Sequence, residues 1–220
     1  VLTPRAHNPT GASISPARSR QLREALADHP DLLVIENDHS ALVAGAEHSP
    51  VATACEHWAV VRSVSKALSP DLRLAVVAGD PTTIALVEGR QQLGAGWVSH
   101  ILQQLTHRLW SDPRTDALLA RATATYAERR TALINALAEH GIPARGDSGL
   151  NVYIEVPEEG TAAQAMLAKG WALRTGEGYR LSAHQPFLRA TTAALEPDDT
   201  TRLAHDLAAV LRPSRASRRA

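Results

Sequence analysis

The stretch Arg62–Asp80, RSVSKALSPDLRLAVVAGD, decides the fold because it sets polar, reactive side chains between two apolar runs. The run WAVVRS leads into it and LRLAVVAGD closes it, and each is typical of a strand covered on both faces. Lys66 follows the first run directly. Because an amine is costly to desolvate at the mouth of a strand, the pattern favours a chemical role for Lys66 over a packing role.

The side chains around Lys66 indicate which chemistry that would be. A desolvated lysine amine is nucleophilic and forms Schiff bases with carbonyl compounds. Ser63 and Ser65 can donate hydrogen bonds, and the guanidinium of Arg73 can form charge-assisted bonds with phosphate oxygens. Together these groups suit an aldehyde that carries a phosphate, and pyridoxal 5′-phosphate is the candidate.

Composition is that of an ordinary globular protein and excludes several other classes. The chain has 220 residues, of which 44% are hydrophobic and 21% charged, and its formal net charge is +0. This balance gives no argument for direct nucleic-acid binding, and no apolar run approaches the roughly 18 residues of a membrane span. The single cysteine, Cys55, fits a reducing cytoplasm, and the histidines lack metal-ligand spacing, so we predict no metal site.

Apolar runs alternate with helical patterns over the first half of the chain, which predicts an α/β fold. DLLVIEND, WAVVRS and LRLAVVAGD read as strands of a mostly parallel sheet, whose ligand sites lie at the carboxyl ends of its strands. Ser15 is the predicted N-cap of the helix before them. The last part reads as a smaller α+β unit with short strands around Trp171, Tyr179 and Phe187. We predict a partial cofactor-binding large domain over 1–113, a connecting helix over 114–140, a small domain over 141–211 and a disordered basic tail over 212–220.

Four short motifs occur in the order of a known family. HNPTG at residues 7–11, a polar cluster after the next strand, SVSK and then LR resemble fold type I pyridoxal-phosphate enzymes, the aspartate aminotransferase superfamily. ENDH, RSVSKALSPDLRLAVVAGD and GWVSHILQQL are most similar to the aminotransferase-like domain of MocR-type regulators in the GntR group. The resemblance covers nearly the whole chain. It implies the fold type I pyridoxal-phosphate-dependent transferase fold and matches only the C-terminal portion of the family pattern.

The resemblance also implies roles for individual residues. Lys66 matches the lysine that holds the cofactor as a Schiff base, and Asn8 matches the asparagine that hydrogen-bonds its phenolic oxygen. Arg189, in PFLRATTAAL, matches the arginine that binds a substrate's α-carboxylate, a task that suits guanidinium geometry. The family's phosphate-facing positions are matched by Ser63, Ser65 and Arg73.

The cluster IENDHSA should supply a carboxylate beside the pyridine nitrogen, and its register is open. Asp38 is our choice for that role. If His39 stands where relatives have tyrosine, Asn37 would face the nitrogen instead, and an amide cannot hold that proton as a carboxylate can. His39 can in either case hydrogen-bond the phenolic oxygen, with a charge that varies near neutral pH.

Three functions are compatible with these motifs. The first is an effector-sensing domain of a MocR-type regulator, in which a small-molecule amino acid or amine exchanges onto the cofactor at Lys66. In this case, DNA is bound only through an N-terminal module absent from this chain. The second is a free-standing class I/II aminotransferase that moves an amino group between an amino acid and a 2-oxo acid, and the third is an inactive truncated remnant. The resemblance further implies a homodimer, and we expect no membrane partner.

Overall fold

The computed structural model of the chain describes residues 1–182 and 185–212 and divides into two compact units. Unit 1 comprises Val1–His7 and Ala12–Ala124, and unit 2 comprises Asn8–Gly11 and Thr125–Ala220. Apart from Arg212, the predicted basic tail of 212–220 lies outside the described residues. Within the described ranges, no helix is both long and apolar enough to cross a membrane.

Unit 1 combines a three-stranded sheet with helices that precede and follow it. The predicted N-cap is present, because Ser15 Oγ accepts a hydrogen bond from the Arg18 N–H at 3.2 Å. Short 3₁₀ helices lie at Ala41–Val43, Ala52–Ala54 and Pro70–Leu72. In chain order, the longer elements are α1 (Pro16–Ala27), β1 (Leu33–Asn37), β2 (His57–Ser63), β3 (Ala75–Gly79), α2 (Pro81–Leu93), α3 (His100–Trp110) and the first part of α4 (Pro113–Glu139).

The sheet of unit 1 is mixed and has the order β1–β2–β3. Strands β1 and β2 are parallel, with Asn37 opposite Val61, whereas β2 and β3 are antiparallel, with Ser63 opposite Ala75. The α/β architecture agrees with the prediction. The antiparallel direction of β3 is a further feature, which apolar runs cannot reveal because periodicity carries no information on strand direction.

The core of unit 1 is small. Val34, Ala52 and Val60 form its buried cluster, while Val76 of β3 is 46% exposed and Ile101 of α3 is 80% exposed. The apolar runs predict strands that are buried on both faces, and for β3 this expectation is wrong in the structure of this chain. A run of apolar residues indicates that a strand is suited to being covered on both faces, but it does not identify the segment that covers it.

Unit 2 contains a four-stranded antiparallel sheet in the order β4 (Ala144–Arg145), β5 (Asn151–Glu155), β7 (Phe187–Thr191) and β6 (Arg174–Thr175). Its core is well developed, because Leu133 and Leu137 of α4 are completely buried together with Leu188 and Leu207. A 3₁₀ helix lies at Glu177–Tyr179. The helices of this unit are the second part of α4, α5 (Glu159–Ala168) and α6 (Pro197–Leu211).

Two short strands predicted for unit 2 differ from the structure. The strand expected around Trp171 is found three residues later, as β6, and Tyr179 belongs to a 3₁₀ helix instead of a strand. Trp171 is held at the edge of the core by a 2.9 Å hydrogen bond from Nε1 to Asp206 Oδ2. The strand predicted around Phe187 is present as β7.

Candidate functional site

Lys66 lies in a tight turn that begins where β2 ends. Val64 anchors this turn, since its side chain is completely buried and its carbonyl oxygen accepts hydrogen bonds from the N–H groups of Ala67 and Leu68 at 3.2 and 2.9 Å. The side chain of Lys66 is exposed and forms no ion pair with a described residue. The sequence pattern predicts a desolvated amine at Lys66, whereas the described residues leave this amine exposed to solvent.

The two serines that flank Val64 are directly connected. Ser63 Oγ donates a hydrogen bond to Ser65 Oγ at 2.9 Å, and the N–H of Ser65 donates to Ser63 Oγ at 3.2 Å. Both residues are half-buried. The pair therefore holds two hydroxyl groups at one end of β2, beside the turn that carries Lys66.

Arg73 ends the 3₁₀ helix that follows this turn. Its backbone has a φ of 47°, in the left-handed region that residues other than glycine seldom adopt. The side chain is exposed, and its one described hydrogen bond is a long contact of 3.5 Å from Nη1 to the Pro70 carbonyl oxygen. No carboxylate in the described part of the chain neutralises this guanidinium, so it is available to an external anion.

Asp38 is fully buried just after β1, within a cluster of arginines. Arg5 donates to both of its oxygens, from Nε to Oδ1 at 2.9 Å and from Nη2 to Oδ2 at 2.8 Å, and Arg62 Nε donates to Oδ2 at 3.3 Å. Burial would raise the pKa of Asp38, but the hydrogen bonds and charge of Arg5, with smaller effects from His48 and Arg62, hold that pKa below its usual value. Both carboxylate oxygens are therefore engaged within the protein.

Two neighbours of Asp38 are more accessible. Asn37, the last residue of β1, is exposed, and its side-chain amide forms no hydrogen bond within the described residues. His39 is half-buried in the turn that follows. Burial, and then the charge of His39, lower the pKa of His7 below its ordinary value.

The buried pair of Asp38 with Arg5 leads to a prediction about pH. Asp38→Asn should lower the free energy of unfolding at pH 7 by about 3 kcal/mol, because it leaves the guanidinium of Arg5 without its charge partner. The pKa of Asp38 in the folded chain lies below its ordinary value of 3.8, so its stabilising effect is complete above that value and is lost as pH falls through the folded pKa. Urea unfolding of both proteins should show the difference shrinking in acid, and a difference that is the same at pH 7 and pH 3 would contradict this assignment.

Unit 2 carries the other two predicted residues, and they are in contact. Arg189 Nη1 donates to Asn8 Oδ1 and to the Tyr179 hydroxyl oxygen, each at 2.8 Å. The Nε atom of Arg189 is buried and has no hydrogen-bond acceptor among the described residues. An unsatisfied buried donor of this kind is rare and calls for an acceptor such as a ligand carboxylate.

The turn that contains Asn8 is fixed by the rest of unit 2. The N–H groups of Asp147 and Ser148 both donate to the Gly11 carbonyl oxygen at 2.8 Å. Gly11 has a φ of 65°, and a Cβ at this position would lie 2.6 Å from the Asn151 carbonyl oxygen. Only glycine fits at this position, which explains the glycine at the end of the NPTG turn.

The structure thus groups the predicted residues within each unit. In unit 1 it links Ser63 to Ser65 in the segment that also contains Lys66 and Arg73, and it pairs Asp38 with arginines. In unit 2 it joins Asn8 to Arg189. Sequence reasoning missed Arg5 and Tyr179, because each meets its partner through the fold and neither belongs to one of the quoted motifs.

The donor set fits the cofactor proposed from sequence. A phosphate requires hydroxyl and guanidinium donors, an aldehyde requires a primary amine, and a carboxylate on a bound amine requires an arginine with free donors. One segment of unit 1 provides the phosphate donors and the primary amine, through Ser63, Ser65, Lys66 and Arg73. The orphaned Nε of Arg189 provides the third in unit 2.

Comparison with known proteins decides the family. The family model described as aminotransferase class I and II matches residues 1–207. The chain belongs to this family. Membership implies pyridoxal phosphate as the cofactor, as the motifs predicted, and identifies the chain as an aminotransferase-like domain.

Among curated relatives, this aminotransferase-like domain is 42% identical over 209 residues to the vitamin B6 salvage pathway transcriptional repressor PtsJ of Salmonella typhimurium. The match covers 94% of this chain and 49% of PtsJ. The domain is also 29% identical over 153 residues to the HTH-type transcriptional regulator TauR of Rhodobacter capsulatus. That match covers 68% of this chain and 31% of TauR. The chain therefore spans about half of PtsJ and a smaller part of TauR, and both relatives are named as regulators of transcription.

Solved structures place the domain in the predicted fold. The kynurenine aminotransferase of Pyrococcus horikoshii superposes with a TM-score of 0.85 at 19% identity, over 100% of this chain and 56% of that one. The α-aminoadipate aminotransferase LysN of Thermus thermophilus, complexed with N-(5′-phosphopyridoxyl)-L-leucine, superposes with a TM-score of 0.83 at 21% identity. This match covers 96% of this chain and 58% of that one. Both confirm the fold type I architecture, and this chain spans just over half the length of each.

Proposed function

We propose that this chain is the pyridoxal-phosphate-binding, effector-sensing part of a MocR-type transcriptional regulator. The observation that carries the proposal is the segment from Ser63 to Arg73, in which an exposed amine follows two linked hydroxyl groups and precedes an exposed guanidinium. Neither cation of this segment is paired within the described residues. Charged groups left free at the carboxyl end of a strand are typical of a ligand site.

Each residue of the segment has a distinct proposed task. When bound, pyridoxal phosphate supplies an aldehyde that condenses reversibly with primary amines. Lys66 holds it covalently, and Ser63, Ser65 and Arg73 hold the phosphate by hydrogen bonds and charge. For Asn8 and His39 we propose hydrogen bonding to the phenolic oxygen. In this proposal the predicted large domain of 1–113 carries the cofactor.

Regulation of transcription is the function that the relatives favour. PtsJ and TauR are both named as transcriptional regulators, so we propose that DNA is bound by a module outside this chain and that the complete protein is a cytoplasmic homodimer. PtsJ is named for the vitamin B6 salvage pathway. Pyridoxal phosphate itself is therefore the first effector to test, followed by small amino acids and amines.

A binding and turnover experiment tests the proposal. We expect the purified chain to take up pyridoxal phosphate with a new absorbance band near the visible edge, which added amines shift reversibly, while pyridoxine, which lacks the aldehyde, gives no band. We expect no sustained formation of a 2-oxo acid from an amino donor. Steady turnover would instead assign the chain to the aminotransferases, and the absence of any band would exclude both functions.

Arg189 is predicted to select amines that carry a carboxylate. Arg189→Gln should weaken the spectral response to such an amino acid by roughly tenfold or more, because a charge-assisted hydrogen bond contributes about 1.5–3 kcal/mol. The response to the corresponding amine without a carboxylate should be unchanged. Arg145→Gln is a suitable control, since Arg145 is an exposed arginine of β4 in the same unit. Equal weakening for both amines would show that Arg189 has no role in recognising a carboxylate.

A further inference from the structure

The strand register of unit 1 separates Asn37 from Asp38. Paired residues of neighbouring strands point to the same face of a sheet, and successive residues alternate between faces. Asn37 is opposite Val61 in β2, and Ser63 lies two residues further along β2. Asn37, Val61 and Ser63 therefore share one face of the sheet.

Asp38 lies on the other face. Its N–H still donates to the Val61 carbonyl oxygen at 2.9 Å, so the alternation of β1 continues through this residue. Its carboxylate meets Arg62, which alternates with Ser63 along β2 and points away from the Ser63 face. Contacts and register agree that Asp38 and Ser63 are on opposite sides of the sheet.

The side chains of Asn37 and Asp38 also differ in the hydrogen-bonding groups that they can offer a ligand. Asp38 is fully buried, and both of its oxygens accept hydrogen bonds from Arg5. Arg5 is itself fixed by a 2.9 Å hydrogen bond from Nη1 to the Ala46 carbonyl oxygen. Asn37 is exposed, and its amide is free within the described residues.

The geometry points to Asn37, and not Asp38, as the side chain that meets the pyridine nitrogen of the cofactor, with Asp38 serving to hold Arg5 and Arg62. This inference rests on the proposed function. An amide can donate an N–H to an unprotonated nitrogen, but it has no negative charge with which to keep that nitrogen protonated. The site is then suited to holding a cofactor and exchanging amines on it, and poorly suited to the electron withdrawal that an aminotransferase requires.

The protonation state of the ring nitrogen provides the test. We would load the chain with cofactor labelled with ¹⁵N in the ring and record its NMR resonance at neutral pH for the wild type, Asn37→Asp and Asp38→Asn. We expect a resonance typical of unprotonated pyridine in the wild type and a shift to the pyridinium range in Asn37→Asp. Asp38→Asn should keep the wild-type resonance and lower the unfolding temperature.

The possible outcomes separate this inference from the proposed function. A pyridinium resonance in the wild type that is lost in Asp38→Asn would overturn the inference while leaving cofactor binding intact. If Asp38→Asn does not fold, a pyridinium resonance in the wild type that Asn37→Asp leaves unchanged overturns it equally. A wild-type chain that retains no labelled cofactor would overturn the proposed function and this inference together.

Discussion

Replacing Lys66 with alanine should abolish covalent retention of pyridoxal phosphate by this chain. The amine of Lys66 is exposed in the turn after β2 and lacks a partner among the described residues, whereas the other lysine of the sequence, Lys169, is engaged. Lys169 Nζ lies 3.0 Å from Asp206 Oδ1 in unit 2. We expect the absorbance band of the cofactor to be absent in Lys66→Ala after removal of free cofactor by gel filtration.

Two further variants make this result interpretable. Lys169→Ala should retain the band, because its ion pair lies in the other unit and takes no part in the cofactor segment. Lys66→Arg keeps the positive charge but cannot condense with an aldehyde, so it should also lose the band. A band that persists in Lys66→Ala would remove this lysine from the site.

The largest loss of stability is expected from Arg130→Met. Arg130 is buried, and its guanidinium donates to the carbonyl oxygens of Gly146, Gly149 and Asp147 at 2.9, 2.8 and 3.2 Å. Burial lowers the pKa of Arg130, although this group remains charged at neutral pH. Because methionine leaves three carbonyl groups without their donor, we expect the free energy of unfolding to fall by about 4 kcal/mol.

This variant also connects stability with the site. The segment that Arg130 holds includes Asp147, whose N–H fixes Gly11 and with it the turn of Asn8. Arg121→Met is the matched control, since Arg121 is exposed on the same helix, and it should change stability by less than about 0.5 kcal/mol. Urea unfolding measures both variants, and similar losses in the two would contradict the role of Arg130.

Local sequence signals predicted the elements that depend on neighbouring residues. Ser15 could be predicted as an N-cap because its hydrogen-bond partner, the N–H of Arg18, lies only three residues later in the sequence. The position of Lys66 just after a strand could be predicted because an apolar run of strand length directly precedes it. The helix predicted over 114–140 corresponds to α4, which is Pro113–Glu139 in the structure, because its apolar residues recur at helical spacing and Gly141 ends it.

Features that depend on distant pairing could not be predicted in this way. The choice between Asn37 and Asp38 depends on which face of the sheet each side chain takes, and that is set by the pairing of β1 with β2. Arg5 is 33 residues from Asp38 in sequence, and its bidentate contact exists only in the folded unit. The exposure of Val76 likewise depends on what packs against β3, which its apolar sequence does not specify.

Borohydride reduction of the wild-type chain tests the central claim most directly. The chain would be incubated with pyridoxal phosphate, reduced, digested and mapped by mass spectrometry, with Lys169 as the internal control. The proposal predicts one stoichiometric phosphopyridoxyl group on the peptide that contains Lys66. Modification that is absent from Lys66, or spread equally over the two lysines, would contradict a specific cofactor site on this domain.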